Sequence, residues 1–180
     1  DDVPVKIEKV RALSFERMGQ IIRANVVAVR CASGETGQFK DAAAAFHAEL
    51  GLPIVLVADS AALLQPVAEA LADARPLLWE RKGPSEQLLA FAARARLPIV
   101  VEGSLEKCDA EAQKAKQAGV QEMVLCPGMV GSQEALQFLT VARRAALKRT
   151  YRPLGYPVLV CAASQDPAQV SLEAAQSVLK

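Results

Sequence analysis

Residues 53–71 read PIVLV, then ADS, then AALLQPVAEAL. The first five residues form a short continuous apolar run, which is typical of a strand buried on both faces of a parallel sheet. Ser60 then stands where a helix N-cap is expected, and apolar residues follow at helical spacing from Leu64 to Leu71. This strand–turn–helix unit predicts a parallel α/β fold, because parallel strands need a crossover connection between them.

Six apolar runs of this kind occur along the chain, and Ala-rich, helix-forming stretches alternate with them. They are Val26–Val29, Pro53–Val57, Pro76–Trp79, Pro98–Val101, Glu122–Leu125 and Pro157–Val160. Four of the runs begin with proline, which marks a strand start because no ladder donor is needed there yet. We expect the six runs to form one parallel sheet, in which a helix joins each run to the next by a right-handed crossover.

Serine and aspartate residues mark the expected helix starts. The predicted N-caps are Ser60, Ser85, Ser104, Ser132 and Asp166. The helix after Ser132 is expected to continue through Arg149, and Gly119 is expected to end the helix that follows Ser104. The stretch from Lys6 to Gln20 is interpreted as a helix and its exit rather than as a strand.

Composition narrows the classes of function. The chain has 180 residues, of which 52% are hydrophobic, so it is long enough for one domain with a substantial core. Its 21 basic and 20 acidic residues leave a net charge of +1, which gives no long-range field for nucleic acid or an anionic membrane. No apolar run approaches the roughly 18 residues that a membrane span needs, and the first residues do not read as a signal peptide. We therefore expect a cytoplasmic protein without nucleic-acid or membrane partners.

The number of apolar runs leaves two architectures open. A closed parallel barrel needs eight strands, and the sequence offers six. The chain is therefore either a barrel that lacks its first and last strands or a six-stranded open sheet.

Four motifs occur in order along the chain. They are Ser14–Gln20 (SFERMGQ), Arg75–Trp79 (RPLLW), Met123–Gly128 (MVLCPG), and Arg143–Lys148 (RRAALK) with Arg152 and Gly155–Pro157. Together they resemble the central barrel of the large (gamma) subunit of the corrinoid iron-sulfur protein of the acetyl-CoA decarbonylase/synthase complex. The resemblance runs from about Lys6 to Lys180. It implies a TIM-barrel-type fold with six of eight strand–helix units present, so that residues 1–180 form one partial barrel domain without the family's iron-sulfur and cobalamin domains.

The resemblance also implies a function. In that family a cobalamin takes a methyl group from a methyl-pterin and delivers it to acetyl-CoA synthase, and a 4Fe-4S cluster restores the cobalt after accidental oxidation. The implied partners are the small subunit of the corrinoid protein, a methyl-pterin methyltransferase and acetyl-CoA synthase. Since the chain has four scattered cysteines, we expect it to bind neither cobalamin nor a cluster on its own. The sequence shows no self-contained catalytic constellation, so no catalytic residue is predicted.

Binding residues in a barrel gather at the carboxyl ends of the strands. The candidate ligand-binding positions are Arg30, Asp59, Glu80, Glu102, Cys126 and Gly128. Each follows or closes an apolar run, and the alternative is that a strand simply ends in a polar residue at the surface. In the family and in related pterin-binding barrels, Asp usually stands where this chain has Cys126. A thiol is a poor hydrogen-bond acceptor, so we do not expect this position to hold a pterin.

Three cysteines fall at predicted strand ends, namely Cys31, Cys126 and Cys161. Thiolates favour soft metals, but free cysteine is also among the most buried residue types. We favour three small buried residues, predict no metal site, and expect reduced thiols because no CxxC motif is present.

Two classes of function therefore remain. The first is a barrel scaffold within a corrinoid methyl carrier, whose main task is contact with partner proteins. The second is a free-standing barrel enzyme that binds a pterin or a phosphorylated small molecule at its strand ends.

Overall fold

A computed structural model describes residues 2–148, 150–162, 164 and 166–178. The chain divides into two compact units, one ending at Glu80 and the other beginning at Arg81. Each unit is built from strands that alternate with helices.

The first unit begins with a helix and a hairpin and continues with alternating strands and helices. Its elements are α1 (Val3–Ala12), β1 (Ser14–Arg17), β2 (Gln20–Arg23), β3 (Val27–Arg30), α2 (Thr36–Leu50), β4 (Ile54–Ala58), α3 (Ala61–Ala70), a 3-10 helix (Ala72–Ala74) and β5 (Leu77–Glu80). Strand β4 pairs in parallel with β3 on one side and with β5 on the other. All five residues of β4 are buried, as expected of a central strand covered on both faces.

The second unit continues the alternation. Its elements are α4 (Glu86–Ala95), β6 (Ile99–Glu102), α5 (Leu105–Gln117), β7 (Met123–Cys126), α6 (Ser132–Lys148), a 3-10 helix (Arg152–Leu154) and α7 (Pro167–Val178). Strands β6 and β7 pair in parallel. The sixth apolar run forms a single parallel bridge, Val158 to Leu125, with N–H···O distances of 2.8 Å from Leu125 to Pro157 and from Leu159 to Leu125.

The proline residues act at the strand starts as the sequence predicts. Strands β4, β5 and β6 each begin one residue after a proline. The proline carbonyl can still accept in the ladder, and the N–H of Val27 donates to the carbonyl oxygen of Pro53 at 3.0 Å. A residue without an N–H can therefore open the strand while leaving no donor unpaired.

Each unit has its own apolar core. The first contains Phe39, Ala43, Leu56, Leu64 and Val67, each at most 3% exposed. The second contains Leu88, Ile99, Val100, Val101 and Leu125, each 0% exposed. Within the described ranges, no helix is both long and apolar enough to cross a membrane.

The interpretation of Lys6–Gln20 as a helix and its exit is wrong in its second half. Strands β1 and β2 pair in antiparallel fashion around a turn in which Met18 has φ 51° and Gly19 has φ 76°. Two successive positive φ angles are typical of a tight hairpin turn, which Asn-Gly normally signals. Methionine gives no such signal, and the sequence therefore does not reveal the hairpin.

Three predicted helix caps are confirmed. Ser85 Oγ accepts from the N–H of Leu88 at 3.2 Å, and Ser104 Oγ accepts from the N–H of Lys107 at 3.3 Å. Asp166 Oδ1 accepts from the backbone N–H two residues further on, at 3.1 Å. These bonds satisfy donors that the first helical turn leaves without an intrahelical partner.

Two other caps differ from the prediction. The side chain of Ser60 makes no capping hydrogen bond, although the residue stands at the N-cap of α3. Ser132 is itself the first residue of α6. The predicted helix end at Arg149 lies outside the described residues, whereas Gly119, with φ 94°, follows α5 as expected.

Candidate functional site

The candidate positions of the first unit lie at one edge of its parallel strands. Arg30 ends β3, Asp59 follows β4 and Glu80 ends β5. Arg30 and Asp59 are exposed, while Glu80 is only 6% exposed. The carboxyl ends of parallel strands meet at the same edge, which brings these positions to one side of the sheet.

Glu80 supplies the cap that Ser60 does not. Its Oε1 accepts from the backbone N–H of Ala61, the first residue of α3, at 3.0 Å in a buried setting. A carboxylate at a helix N-terminus is stabilised by the free N–H groups and by the helix dipole. Glu80 therefore fastens the start of α3 to the end of β5.

Replacing Glu80 is expected to lower stability. Glu80→Ala leaves the buried N–H of Ala61 without this acceptor, which costs about 1–3 kcal/mol. In a chain of this size each kcal/mol lowers the Tm by roughly 2–4 °C. Thermal unfolding followed by circular dichroism measures the effect. Glu69→Ala, which removes an exposed carboxylate from α3, is the control, and its free energy of unfolding should stay within about 0.5 kcal/mol of the parent's. An equal Tm for the two variants would contradict the capping role.

In the second unit, three of the candidate positions come together. Glu102 ends β6, Cys126 ends β7, and the two residues are partners in the parallel register. Gly128 has φ 87°, and a Cβ at this residue would lie 3.2 Å from Glu102 Oε1. Its N–H donates to Cys126 Sγ at 3.4 Å. The Cys-Pro-Gly turn thus folds back over the thiol and against the carboxylate.

Cys161 joins this group from the segment that follows the sixth apolar run. Its side chain is hydrogen-bonded to that of Cys126, and this bond is the main cause that lowers the pKa of Cys161 to about 7. Burial and the charge of Glu102 oppose the shift, while the charge of Arg81 adds to it. The same bond and burial raise the pKa of Cys126. Since Cys126 is 0% exposed and Cys161 is half-buried, Cys126 is the S–H donor and Cys161 carries the thiolate.

A third thiol of the second unit is structural. Cys108 Sγ lies 3.4 Å from the carbonyl oxygens of Val101 and Gly103 and 3.7 Å from that of Cys126. Burial raises the pKa of Cys108 to about 11, so it remains a neutral donor. In the first unit, Cys31 is buried at the end of β3 and its N–H donates to the carbonyl oxygen of Val57.

The described side chains provide no metal site. In those ranges no group of three or more His, Cys, Asp or Glu side chains is arranged to hold a metal ion. The pair formed by Cys126 and Cys161 supplies two soft donors and has Glu102 beside it, and its chemistry is that of a nucleophile with a neighbouring thiol.

Nearly the whole chain matches one protein family. The family model of the CO dehydrogenase/acetyl-CoA synthase delta subunit matches residues 2–178. The chain belongs to this family.

Relatives within the family support the resemblance drawn from the sequence motifs, which is confirmed. The corrinoid/iron-sulfur protein large subunit of Moorella thermoacetica is 30% identical over 100% of this chain and 41% of its own length. The acetyl-CoA decarbonylase/synthase complex subunit gamma of Archaeoglobus fulgidus is 27% identical over 89% of this chain and 36% of its own length. The chain therefore spans about two fifths of the length of these relatives.

Solved structures show the fold of this family member. Dihydropteroate synthase from Thermus thermophilus, in complex with 6HMPPP, aligns with a TM-score of 0.66 and 21% identity over 99% of this chain and 78% of its own. Dihydropteroate synthase from Xanthomonas albilineans aligns with a TM-score of 0.63 and 12% identity over 98% of this chain and 73% of its own. The predicted α/β fold of the TIM-barrel type is confirmed, and at these identities the likeness concerns the fold alone.

The sequence predicts the members of the thiol pair but not their contact. Cys161 enters the prediction as a strand-end thiol together with Cys31 and Cys126, and it is absent from the candidate binding positions. A usable signal exists, because a cysteine closes or follows each of the last two apolar runs. What the sequence lacks is the register between those runs, which decides whether the two thiols meet.

Proposed function

We propose that this chain is the barrel scaffold of a corrinoid iron-sulfur protein that carries a methyl group from a methyl-pterin to acetyl-CoA synthase. The main support for this proposal is the family match over residues 2–178, together with 30% identity of the whole chain to a corrinoid/iron-sulfur protein large subunit. The proposed setting is one-carbon metabolism in the cytoplasm. The proposed partners are the small subunit of the corrinoid protein, the methyl-pterin methyltransferase and acetyl-CoA synthase.

The cysteines of this chain do not fit a 4Fe-4S cluster, which needs four thiolate ligands. Cys108 is engaged with backbone carbonyls, and the described residues contain no metal-holding group of three or more side chains. No step of the proposed role of this chain runs through a cluster or a corrinoid of its own. We assign both cofactors to the part of the full-length family protein that this chain does not match.

The candidate positions support a scaffold better than a catalyst. Glu80 holds a helix in place, Cys126 is fully buried, and Glu102 packs beside the Cys-Pro-Gly turn. None of these features places a general acid, base or nucleophile against an open cavity, which a barrel enzyme would need at its strand ends.

The hairpin of the first unit offers a surface suited to burial against a partner. Phe15 is 59% exposed and Ile22 is 42% exposed, and the two are partners in the antiparallel register, so their side chains lie on the same face of the hairpin. Contiguous apolar side chains of this kind mark interaction sites, because leaving them in water forgoes their hydrophobic stabilisation. We assign this surface to contact with the small subunit.

Mixing the chain with the small subunit of the corrinoid protein tests the proposal. Sedimentation velocity is expected to show a one-to-one complex at micromolar concentrations. Phe15→Ser combined with Ile22→Ser, which changes both apolar residues of this face, is expected to weaken the complex at least about 10-fold, since each buried apolar side chain is worth about 1.5–3 kcal/mol. Leu172→Ser, which changes an exposed leucine of α7, is the matched control.

The possible outcomes test the scaffold proposal and the choice of the hairpin as contact surface separately. Absence of any complex with the parent chain would contradict the scaffold proposal. A complex that the hairpin variant forms as tightly as the parent would leave the scaffold in place but show that the hairpin is not the contact surface.

A further inference from the structure

The thiol pair at the end of β7 has no task in the proposed scaffold. Cys126 closes the strand, and Cys161 follows the apolar run that lies parallel to it. Two backbone hydrogen bonds of 2.8 Å, both made by Leu125, hold the two segments side by side. This pairing holds the segment that carries Cys161 beside the end of β7, where its thiol is hydrogen-bonded to that of Cys126.

We propose that Cys126 and Cys161 form a dithiol site that reacts with small-molecule disulfides, with Cys161 as the attacking thiol and Cys126 as the thiol that closes an intrachain disulfide. The ligand class is a low-molecular-weight disulfide such as oxidised glutathione. The site would make this strand end responsive to the thiol–disulfide balance of its surroundings.

The assignment of roles follows from exposure and from the neighbouring groups. Cys161 is half-buried, so a small disulfide can reach it, while Cys126 is 0% exposed. The Cys126 S–H and the charge of Arg81 favour the Cys161 thiolate, against burial and Glu102. A thiol with a pKa of about 7 is partly ionised at neutral pH and remains a good nucleophile, which is the optimum for attack on a disulfide.

The chemistry balances in two steps. First, the Cys161 thiolate attacks one sulfur of the disulfide RSSR, which forms a Cys161–SR mixed disulfide and releases RS⁻. Second, Cys126 gives up its proton and attacks Cys161 Sγ, which forms the Cys126–Cys161 bond and releases a second RS⁻. The protein loses two electrons and two hydrogens, and the small disulfide is reduced to two thiols.

The second step needs only a local adjustment. The two sulfurs are already in hydrogen-bond contact and must approach to about 2.05 Å. Cys126 is fixed in β7, whereas Cys161 lies in no assigned helix or strand. We expect the Cys161 side to move, because fewer backbone bonds constrain it.

The other thiol of the second unit provides a matched control. Cys108 is 0% exposed, its Sγ faces backbone carbonyls, and its pKa is raised to about 11. A thiol that is both buried and neutral reacts slowly with disulfides. Its replacement should therefore leave the reactivity of the pair unchanged.

Incubation of the full chain with oxidised glutathione, followed by alkylation and intact mass spectrometry, tests the proposal. The parent is expected to lose two hydrogens and two alkylation sites, and digestion should release a peptide pair linked through Cys126 and Cys161. Cys126→Ser should stop at a glutathionyl adduct on Cys161, and Cys161→Ser should react at least about 10-fold more slowly than the parent because the low-pKa thiolate is gone. Cys108→Ala should behave as the parent does.

The pH dependence of alkylation at Cys161 tests whether Cys126 lowers the pKa of Cys161 or only lies near it. The rate of alkylation at Cys161 should rise with a midpoint near pH 7 in the parent. Cys126→Ala removes the donor and should move the midpoint upward, while Cys126→Ser keeps an O–H donor and should move it less. Circular dichroism verifies that each variant is folded.

Two results would overturn the proposal. One is alkylation of Cys161 no faster than that of Cys108 in the folded parent. The other is a stable glutathionyl adduct in the parent without closure to the intrachain disulfide. Neither result bears on complex formation with the small subunit, so the two proposals fail independently.

Discussion

Calorimetric titration of this chain with methyltetrahydrofolate is expected to show no binding at sub-millimolar ligand concentrations. The family resemblance implies that related pterin-binding barrels have an aspartate where this chain has Cys126. A charged carboxylate accepts two hydrogen bonds from pterin donors, each worth about 1.5–3 kcal/mol. Their loss weakens binding by about two to four decades.

The structure adds a second reason for the expected loss. Cys126 is 0% exposed, and its sulfur already accepts from the N–H of Gly128 and contacts Cys161. The Cys126 sulfur is therefore occupied by Gly128 and Cys161 and offers no hydrogen-bond acceptor to a ligand. Glu102, the neighbouring carboxylate, lies against the Gly128 turn.

Two substitutions sharpen this test. Cys126→Asp introduces the carboxylate at a position that is 0% exposed and lies beside Glu102, so it is expected to recover at most a small part of the two to four decades. Cys126→Ala is the control and should bind no better than the parent. Tight binding by the parent that Cys126→Ala leaves unchanged would show that neither Cys126 nor the strand ends have been interpreted correctly. It would favour the free-standing pterin-binding enzyme instead.

The parallel strands could be predicted because their signal is local. Runs such as Pro53–Val57 are short, continuous and apolar, and a strand buried on both faces requires that pattern. Proline sharpens the boundary, since it can stand only at the start of a central strand. The hairpin formed by Ser14–Arg17 and Gln20–Arg23 could not be found in the same way, because Met18 at positive φ gives no turn signal.

Capping was predictable only where the partner is close in sequence. Ser85 and Ser104 accept hydrogen bonds from N–H groups three residues further along the chain, so the position of the serine in the sequence is enough to predict the cap. The cap of α3 comes instead from Glu80, which is 19 residues from Ala61. Sequence alone indicated that Glu80 ends a strand, but only the packing of α3 against β5 shows what its carboxylate does.

The candidate site was predicted as a set of strand ends and not as a set of contacts. Glu102, Cys126 and Gly128 do come together, since they follow adjacent parallel strands. The Cys126–Cys161 contact depends on which residue of the sixth run lies opposite Leu125. Parallel register is fixed by long-range packing, and so no pattern within either run could have revealed it.

Leu125→Ala is expected to be the most destabilising of the single substitutions considered for this chain. Leu125 is 0% exposed in the middle of β7, between the register partner Val101 and the bridge to Val158. Truncating a fully buried leucine costs about 2–5 kcal/mol, because transfer energy is lost and a cavity remains. A natural domain has only about 5–15 kcal/mol of net stability, so this is a large fraction of the total.

Thermal and urea unfolding of matched leucine variants measure this effect. Leu125→Ala should lower the Tm by roughly 4–20 °C, at about 2–4 °C for each kcal/mol. Leu147→Ala makes the same chemical change at a side chain that is 69% exposed on α6, and its stability should stay within about 0.5 kcal/mol of the parent. Because both variants lose the same atoms, the difference between them isolates burial. Equal stability of the two would mean that β7 does not lie in the core of the second unit, and the thiol contact at its end would then lose its support.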